Sequence, residues 1–290
     1  MQNTNPYSKI IAGTMTWGSW GKQLFKKGMI DLMHHCLSLG IYTFDHADIY
    51  GGYGNEAAFG EAFIDSGIQR EDITLISKCG IQMTSGRSNQ VKHYQYDSEY
   101  IEWSVEQSLK KLRTDYIDLF LLHRPSPLLN HEEVARAVEK LKGQGKIKSF
   151  GVSNFTPSQI ALLESSVSVT ANQVEFSLTH HNPMYDGTFD DCIIKKRVAM
   201  AWSPLGSFFR EKGKQTDRIA KVFAQLGAKY DASESQLLIA FVLKHPAQIH
   251  PVVGTTNKER LASLAKVEKI DLELEDWFLL LEASQGQEVP

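Results

Sequence analysis

Four side chains that can transfer or orient protons stand in or just after three short apolar runs of the sequence. Asp45 lies in the first run, and Tyr50 follows it closely. Lys78 ends the second run and His123 ends the third. Because the carboxyl ends of parallel strands meet at one edge of a sheet, parallel pairing of these runs would bring the four side chains together. The sequence therefore predicts a site for proton chemistry.

The residue types define the chemistry that this group supports. A free tyrosine has a pKa of about 10, and a neighbouring lysine ammonium stabilises the phenolate and lowers that pKa. We therefore predict that Tyr50 is a general acid tuned by Lys78, with Asp45 holding the lysine charged and oriented. His123 would donate a hydrogen bond to a substrate carbonyl oxygen as that oxygen gains negative charge. Such a site protonates an oxyanion, and it needs a cofactor to supply the electrons of a reduction.

Each of these residues also has a structural interpretation. Asp45 and Lys78 could form a structural ion pair that closes one end of a closed sheet, although desolvation makes buried pairs a weak source of stability. His123 alone is more typical of a hydrogen-bonded core histidine, and Tyr50 alone of a packed aromatic ring with a bonded hydroxyl. Taken together on one face, the four favour a functional site, because titratable groups with perturbed pKa values cluster in active sites.

Apolar strand-like runs alternate with helical segments along the chain, and several runs are apolar on both faces, as expected of strands covered by helices. Repeated βα units predict a parallel sheet, and eight such units in 290 residues predict a closed (β/α)₈ TIM barrel. We expect one α/β domain over residues 1–290, with an N-terminal cap and an extra C-terminal helix. The predicted strands are Lys9–Gly13, Tyr42–Ala47, Ile73–Lys78, Ile117–His123, Ser149–Ser153, Thr170–Glu175, Val198–Ser203 and His250–Gly254.

Helical spacing of apolar residues and stop signals such as glycine place the helices between these strands. Two longer stretches, Gly80–Asp97 and Ser207–Thr216, are expected to be loops on the catalytic face. Loops of such length are functional or disordered in most proteins. The predicted helices are 29–40, 55–67, 98–112, 131–142, Pro157–Glu164, Asp217–Leu226, Ser233–Lys244, Lys258–Val267 and Asp276–Ala283.

Composition and charge narrow the class of protein. The net charge is −3 without a long basic or acidic block, so nothing indicates a nucleic-acid partner or an anionic membrane surface. The N-terminal residues lack the pattern of a signal peptide, and no apolar run of about 18 residues predicts a transmembrane helix. Three widely spaced cysteines suit reduced thiols. We expect a cytoplasmic monomer that acts on a small molecule and binds no metal.

Five strings of the sequence, in this order and at these spacings, resemble the aldo-keto reductases. Within that family they are similar to the bacterial ydhF-type oxidoreductases, which share the string at 45–53. The resemblance runs from about Ile10 to Leu264 and implies a catalytic tetrad of the four residues named above. The strings are Asp45-His46-Ala47-Asp48-Ile49-Tyr50-Gly51, Ser77-Lys78-Cys79-Gly80, Leu121-Leu122-His123-Arg124-Pro125, Gly151-Val152-Ser153-Asn154-Phe155 and Pro251-Val252-Val253-Gly254-Thr255.

The resemblance further implies a nicotinamide cofactor and the residues that hold it. Ser153, Asn154 and Gln173 would bind the carboxamide, and Trp202 would stack on the nicotinamide ring. The resemblance places the nicotinamide ribose beside Gly13, Thr14 and Met15, the pyrophosphate beside Ser203, Leu205 and Gly206, and the adenosine end beside Gly254, Thr255, Thr256, Lys258 and Arg260. It implies reduction of aldehydes or ketones to alcohols by hydride transfer.

Charge and residue type bear on the nucleotide and on the substrate pocket. Arg260, assisted by Lys258, could hold a 2′-phosphate by charge-assisted bonds, so NADP is the expected cofactor and NAD the alternative. The best-known branch of the family has a Lys-Ser pair where this chain has Gly254-Thr255. Little sequence follows the last predicted helix, so we expect an open pocket shaped by the 80–97 loop and by three substrate-binding residues, Trp17, Tyr53 and Arg124.

Two other classes of function remain open on the sequence. A nicotinamide-nucleotide-binding regulatory subunit with little catalysis would use the same fold, although the intact tetrad argues against it. A metal-dependent hydrolase would use Asp45, His46, Asp48 and His123. His46 should point to the opposite side of its strand from Asp45, which disfavours that metal site. A doubly wound dinucleotide fold is disfavoured because the chain has no Gly-x-Gly-x-x-Gly string.

Overall fold

Eight short parallel strands pair edge to edge into a closed barrel in the computed structural model, which describes residues 6–290. Around the barrel the order is β1-β10-β9-β8-β7-β6-β3-β2, and β4 and β5 form a separate antiparallel hairpin. The predicted (β/α)₈ TIM barrel is confirmed. The strands are β1 (Ile11–Gly13), β2 (Thr43–Asp45), β3 (Thr74–Cys79), β4 (Ile81–Gln82), β5 (His93–Tyr94), β6 (Ile117–Leu122), β7 (Ile147–Ser153), β8 (Ala171–Glu175), β9 (Val198–Trp202) and β10 (His250–Val253).

Helices cover the outside of the barrel and bury the apolar stripe that each sequence segment carries. Capping boxes fix the start of α6 and α9. In each, the side chains of the N-cap residue and of the residue three positions later accept from each other's backbone N–H, and the pairs are Thr156 with Gln159 and Ser233 with Gln236. No helix within residues 6–290 has the length and apolar character needed to span a membrane. The helices are α1 (Lys26–Ser38), α2 (Tyr50–Tyr53), α3 (Asn55–Ser66), α4 (Ser98–Leu112), α5 (His131–Gly143), α6 (Pro157–Glu164), α7 (Thr188–Lys195), α8 (Lys214–Tyr230), α9 (Glu234–Leu243), α10 (Lys258–Leu264) and α11 (Leu274–Gln285).

Two predicted additions to the barrel are an extra C-terminal helix and an N-terminal cap. The extra C-terminal helix, α11, packs on α9 through Trp277, whose ring stacks on Phe241 with centroids 4.7 Å apart. The predicted N-terminal cap lies in part at residues 1–5, outside the described residues. Tyr7, which is described, is buried with Ile11, Leu119 and other strand residues of the barrel interior. Its ring therefore fills the barrel at the end opposite the strand C-termini.

The structure contains elements that the sequence did not predict: the short helix α2, the β4–β5 hairpin and helix α7. The stretch 80–97 is not structureless, because β4 and β5 pair within it through Ile81 with Tyr94 and Gln82 with His93. Both residues of β5 are exposed, so the alternation that marks a strand in sequence is missing there. Helix α7 has only eight residues, too few for a clear apolar stripe. Two of its apolar residues, Ile193 and Ile194, are exposed, so the sequence pattern did not predict it.

The cysteines are all buried and none forms a disulfide. Burial raises the pKa of the Cys36 and Cys192 thiols to about 12. Burial also holds the pKa of Cys79 well above its ordinary value, with the charge of Asp48 acting in the same direction. Since thiolates are the reactive form of cysteine, these three side chains behave as small apolar residues of the core.

Candidate active site

The four residues predicted to act together do meet at the C-terminal mouth of the barrel. Lys78 is fully buried at the end of β3, and its Nζ lies 2.8 Å from both carboxylate oxygens of Asp45 at the end of β2. The same Nζ donates to the His46 carbonyl oxygen at 2.8 Å and to the Tyr50 hydroxyl at 3.2 Å. The ammonium therefore joins the carboxylate to the phenol, and all its donors have partners.

Two consecutive glycines give the chain the turn that brings the Tyr50 hydroxyl to the lysine. Gly51 and Gly52 have φ values of +60° and +65°, in the left-handed region where a side chain is strained. A Cβ atom on Gly51 would also lie 2.0 Å from Oδ1 of Asn55. Asn55 cannot move away easily, because its Nδ2 donates to the Thr14 carbonyl oxygen at 2.9 Å. The turn therefore requires glycine at position 51.

His123 lies beside the phenol, directly after β6. Its ring approaches the Tyr50 ring edge-on, with centroids 6.0 Å apart and an interplanar angle of 78°. Burial lowers the pKa of His123 well below its usual value, and the positive charges of Lys78, Arg124 and Lys92 lower it further. The imidazole is therefore neutral at neutral pH. Its Nδ1 is buried and has no partner among the described residues.

Burial, not the lysine, sets the direction of the Tyr50 pKa. Burial raises the pKa of Tyr50 above its ordinary value; Lys78 and Arg124 act to lower it, and Asp45 acts to raise it. Lys78 thus acts on the Tyr50 pKa in the predicted direction, but desolvation of the phenolate outweighs the attraction of the ammonium and the net shift is upward. Burial also disfavours the charge of Lys78, but Asp45 and Tyr50 prevail and raise the lysine pKa. Tyr50 is protonated and Lys78 is charged at neutral pH.

A chain of hydrogen bonds extends from the carboxylate to the neighbouring strand ends on β7, β8 and β9. Gln173 donates from Nε2 to Asp45 Oδ1 at 2.9 Å, and the Ser153 hydroxyl donates to the Gln173 carbonyl oxygen at 2.8 Å. Asn154 donates to Ser153 Oγ at 2.8 Å and accepts from Trp202 Nε1 at 2.9 Å. Four residues expected to meet the nicotinamide thus form one hydrogen-bond network with Asp45, Lys78 and Tyr50.

The backbone turns sharply at the strand ends next to this network. Asn154 and Ser203 have φ values of +63° and +49°, which few residues other than glycine adopt. Gly206 has a φ of +59°, and a Cβ atom there would lie 2.0 Å from Oγ1 of Thr179. The 203–206 turn is half-buried at the mouth, with Leu205 packed against the outer core. These turns hold the residues expected near the pyrophosphate close to the carboxyl end of β9.

At the end of β1 the three residues predicted to meet the ribose differ in availability. The Thr14 hydroxyl donates to the Asp45 carbonyl oxygen at 2.9 Å and hydrogen-bonds with His46 Nδ1 at 3.0 Å. Thr14 is buried, and Gly13 belongs to β1 and pairs with β2. Met15 is 44% exposed. Of these three residues, only Met15 has a side chain that is open to a bound molecule.

The residues expected at the adenosine end form an open strip between β10 and α10. Thr16 donates from Oγ1 to the carbonyl oxygen of Gly254, which connects this strip to the loop after β1. Asn257 caps α10 by accepting from the Arg260 N–H at 2.7 Å. The predicted residues here are exposed or half-buried, and they are Gly254, Thr255, Thr256, Lys258 and Arg260.

Trp17 does not line the cleft, and its predicted contact with substrate is wrong. Its side chain is 2% exposed and packs between Phe44 and Phe59, in the layer between the barrel and α3. Trp20, which the sequence did not single out, takes the open position. It is 42% exposed, and its ring lies edge-on to the Tyr50 ring with centroids 6.2 Å apart. Loop residues lack a fixed side-chain period, so the sequence could not choose between the two tryptophans.

The other two residues predicted to bind substrate have different surroundings. The Tyr53 hydroxyl accepts from the Met83 N–H at 3.0 Å, and the Arg87 guanidinium lies 4.3 Å from the Tyr53 ring centre. Tyr53 therefore holds the hairpin stretch against the barrel. Arg124, directly after His123, is half-buried, and its guanidinium carbon lies 5.3 Å from the centre of a Trp202 ring.

The residues of the predicted metal alternative point in different directions. His46 hydrogen-bonds with Thr14 and lies edge-on to Phe59, on the far side of the strand from Asp45. Burial lowers the pKa of His46 to about 3, and the charge of Lys78 adds to that effect. Within residues 6–290 no group of three His, Cys, Asp or Glu side chains is arranged to hold a metal ion.

A second buried acid, Asp48, lies behind the tetrad and was not singled out for any role other than the metal alternative. Burial raises the pKa of Asp48 to about 7, the nearby Glu56 raises it further, and Arg87 and the Tyr100 hydroxyl oppose the shift. Tyr100 donates to Asp48 Oδ2 at 3.3 Å, while Oδ1 has no partner among the described residues. The Asp48 carboxyl is therefore easily protonated and contributes to a buried polar layer between β3 and α4.

Comparison with known proteins places this geometry in a family. Residues 9–284 match the model of the aldo/keto reductase family. The chain is 40% identical to the oxidoreductase YdhF of Escherichia coli K12, and 39% identical to the oxidoreductase YcsN of Bacillus subtilis 168. Both alignments cover 98% of this chain and 96% of the relative. The crystal structure of a thermostable aldo-keto reductase, Tm1743, in complex with the inhibitor epalrestat superposes with a TM-score of 0.82 at 25% identity, covering 97% of each chain. The sequence resemblance is confirmed, and this chain belongs to the aldo/keto reductase family of oxidoreductases.

Proposed function

We propose that this oxidoreductase uses NADPH to reduce an aldehyde or ketone to an alcohol, with Tyr50 as the general acid. The observation that supports this best is the Lys78 ammonium, which lies 2.8 Å from both Asp45 carboxylate oxygens and 3.2 Å from the Tyr50 hydroxyl. A purely structural ion pair would need no phenol at its open end. Tyr50 is largely but not fully buried, so it gives this network its contact with the cleft.

The tetrad residues have separate roles in the proposed reaction. Bound reduced nicotinamide supplies the hydride that the carbonyl carbon accepts. Tyr50 gives its proton to the carbonyl oxygen, and Lys78 stabilises the phenolate that remains. Asp45 keeps the lysine charged and in place. His123 is neutral, and with Nδ1 buried its Nε2 is the nitrogen that would donate to the carbonyl oxygen as negative charge develops there.

The residues at the strand ends fit a nicotinamide nucleotide. Gln173 directs its Nε2 to Asp45 Oδ1 and Met200 Sδ, so its Oε1 is the atom that can accept from the carboxamide. Asn154 lies beside it, and Trp202 is positioned by a bond from its indole nitrogen to Asn154. The exposed cations Lys258 and Arg260 support NADP as the preferred nucleotide, since a 2′-phosphate would meet both charges.

The rest of the proposal concerns the protein as a whole. We propose that residues 1–290 act as one domain and as a monomer, with Tyr53 and Arg124 among the residues that contact substrate. The unpaired buried thiols support a reducing, cytoplasmic environment. The proposed substrate is a small carbonyl compound, which enters from the open mouth beside Tyr50 and Trp20.

Fluorescence titration tests the cofactor assignment first. Bound nucleotide should quench the emission of the protein, because Trp202 lies in the proposed nicotinamide site. NADPH should do so at lower concentration than NADH, because Lys258 and Arg260 would meet its 2′-phosphate. A panel of carbonyl compounds with the better nucleotide should then show oxidation of the nucleotide. Absence of binding by either nucleotide would contradict the proposal. Tight binding without turnover of any carbonyl would favour the regulatory subunit considered above.

A further inference from the structure

The main chain of Arg124 is held by two hydrogen bonds to one tyrosine, whereas no hydrogen bond holds its side chain among the described residues. The Tyr96 hydroxyl accepts from the Arg124 N–H at 3.1 Å and donates to the Arg124 carbonyl oxygen at 2.5 Å. Tyr96 is itself buried against Gly80, whose φ of +111° and missing side chain allow that contact. A Cβ atom on Gly80 would lie 2.0 Å from the Tyr96 ring. The arginine therefore leaves the end of β6 from a fixed position.

The guanidinium of Arg124 extends across the barrel mouth. Arg124 follows β6, whereas Trp202 ends β9, and β7 and β8 lie between these two strands around the barrel. Even so, the guanidinium carbon is 5.3 Å from the centre of a Trp202 ring. The Arg124 charge also acts on the pKa values of both Tyr50 and His123. The cation thus lies over the cleft, next to the groups proposed to meet the substrate carbonyl.

No carboxylate within residues 6–290 neutralises this cation by a direct ion pair. Asp45 is already paired with Lys78, and Glu175, which is in register with Trp202, makes no ion pair with Arg124. Lys92 on the hairpin stretch adds a second positive charge that acts on His123. The mouth is therefore positive on the side of β6. An arginine held over an aromatic ring without an anionic partner is suited to binding a carboxylate or phosphate.

We propose that Arg124 selects carbonyl substrates that carry a carboxylate or phosphate group in the same molecule. The inference rests on the proposed carbonyl reduction and specifies its substrate class. The proposed phosphate contacts of the nucleotide come from the loops after β9 and β10, whereas the Arg124 charge acts on Tyr50 and His123, the groups proposed to meet the substrate carbonyl. The anion that Arg124 meets therefore belongs to the substrate rather than to the cofactor. Arg124 is a specificity residue in this account, and the proton still comes from Tyr50.

A matched pair of substrates isolates the charge. Succinic semialdehyde and its methyl ester differ in one carboxylate, and glyceraldehyde 3-phosphate and glyceraldehyde differ in one phosphate. We expect kcat/KM of the wild-type enzyme to favour the charged member of one or both pairs. Arg124→Gln should lower the charged-to-neutral ratio by about 10- to 100-fold, as expected for loss of a hydrogen bond to a charged group, chiefly through KM. Arg124→Lys should restore part of the ratio, and Arg136→Gln on the exposed face of α5 is the control for loss of one positive charge.

A binding measurement separates failure of this inference from failure of the proposed reaction. In calorimetric titrations, succinate should bind the wild-type protein at least tenfold more tightly than it binds Arg124→Gln, and 1,4-butanediol should not distinguish the two. This result is expected even if no carbonyl is reduced. Equal succinate binding in both proteins, or an unchanged charged-to-neutral ratio, would overturn the proposal. A parallel loss of NADPH affinity in Arg124→Gln would assign the residue to the nucleotide and would also overturn it.

Discussion

The Nζ of Lys78 lies 3.2 Å from the Tyr50 hydroxyl and is held there by both carboxylate oxygens of Asp45 at 2.8 Å. This arrangement predicts that the lysine is needed both for catalysis and for stability. Lys78→Met should reduce turnover by at least about 100-fold, because the phenolate loses its cation. It should also lower the free energy of unfolding by about 3–5 kcal/mol, because the Asp45 carboxylate is left buried and unpaired.

Denaturant unfolding and steady-state kinetics measure these two losses. Lys110→Met on the exposed side of α4 is the matched control, and neither quantity should change appreciably there. The double variant Asp45→Asn/Lys78→Met should be more stable than the sum of the single losses predicts, because the two residues interact directly. Strict additivity would show that the pair is not coupled as the distances indicate.

The direction of the Tyr50 pKa shift predicts different pH profiles for the two reaction directions. Burial raises the pKa of Tyr50 above its ordinary value, so the protonated acid persists through neutral pH. Carbonyl reduction should keep its rate from neutral to moderately alkaline pH, whereas alcohol oxidation, which needs the phenolate, should accelerate as pH rises. Profiles of kcat/KM in both directions measure this. A reduction rate that falls with an apparent pKa near neutrality, and that loses this pKa in Tyr50→Phe, would contradict the prediction.

Asp48 predicts a pH-dependent stability that is separate from catalysis. Its folded-state pKa is raised to about 7, so the native state favours the protonated form. Its contribution to stability is therefore present below the unfolded-state pKa of about 4 and is lost as pH rises through 7. Asp48→Asn removes this titration. The wild type should lose stability between pH 5 and pH 8 and the variant should not. The free energy of unfolding of Asp48→Asn minus that of the wild type should therefore rise by about 2–3 kcal/mol over this range.

Urea unfolding at both pH values measures that change for Asp48→Asn. Asp31→Asn, on the exposed side of α1, provides a control in which the difference from wild type should not vary with pH. If the two variants show the same pH dependence, the Asp48 carboxyl does not titrate differently in the folded and unfolded states.

Arg260 predicts the choice between the two nucleotides. Arg260→Gln should raise the Kd for NADPH by about 10- to 100-fold, as expected for a lost bond to a phosphate, and leave the Kd for NADH nearly unchanged. Lys266→Gln, after the C-terminus of α10, is the charge-matched control. Equal weakening of both nucleotides would place Arg260 at a part of the nucleotide that they share.

The barrel and the position of the tetrad could be predicted because they depend on strands that are apolar on both faces. Runs such as Thr74–Cys79 are buried throughout, so a charged residue at such a strand end is informative. What could not be predicted depends on loops and on desolvation. Trp17 and Trp20 occupy one loop without a side-chain period, and only the folded structure distinguishes buried Trp17 from exposed Trp20.

The net direction of the Tyr50 pKa shift could not be predicted from the sequence, for a physical reason of the same kind. Residue types alone identify Lys78 as the neighbour that stabilises a phenolate, and the structure has that contact at 3.2 Å. Residue types do not reveal how much water the phenol loses, and burial is the larger effect. Likewise the raised pKa of Asp48 depends on its burial and on the nearby charge of Glu56, neither of which the sequence reveals.

Tyr50→Phe tests the central claim most directly, because it removes one oxygen and leaves the ring that packs beside His123 and Trp20. Single-turnover oxidation of enzyme-bound NADPH by a reactive aldehyde measures the chemical step, and fluorescence titration of the same variant measures nucleotide binding. We predict a rate lower by about 10²- to 10⁴-fold with an unchanged Kd for NADPH. A rate within a few-fold of the wild-type value would show that the proton comes from elsewhere.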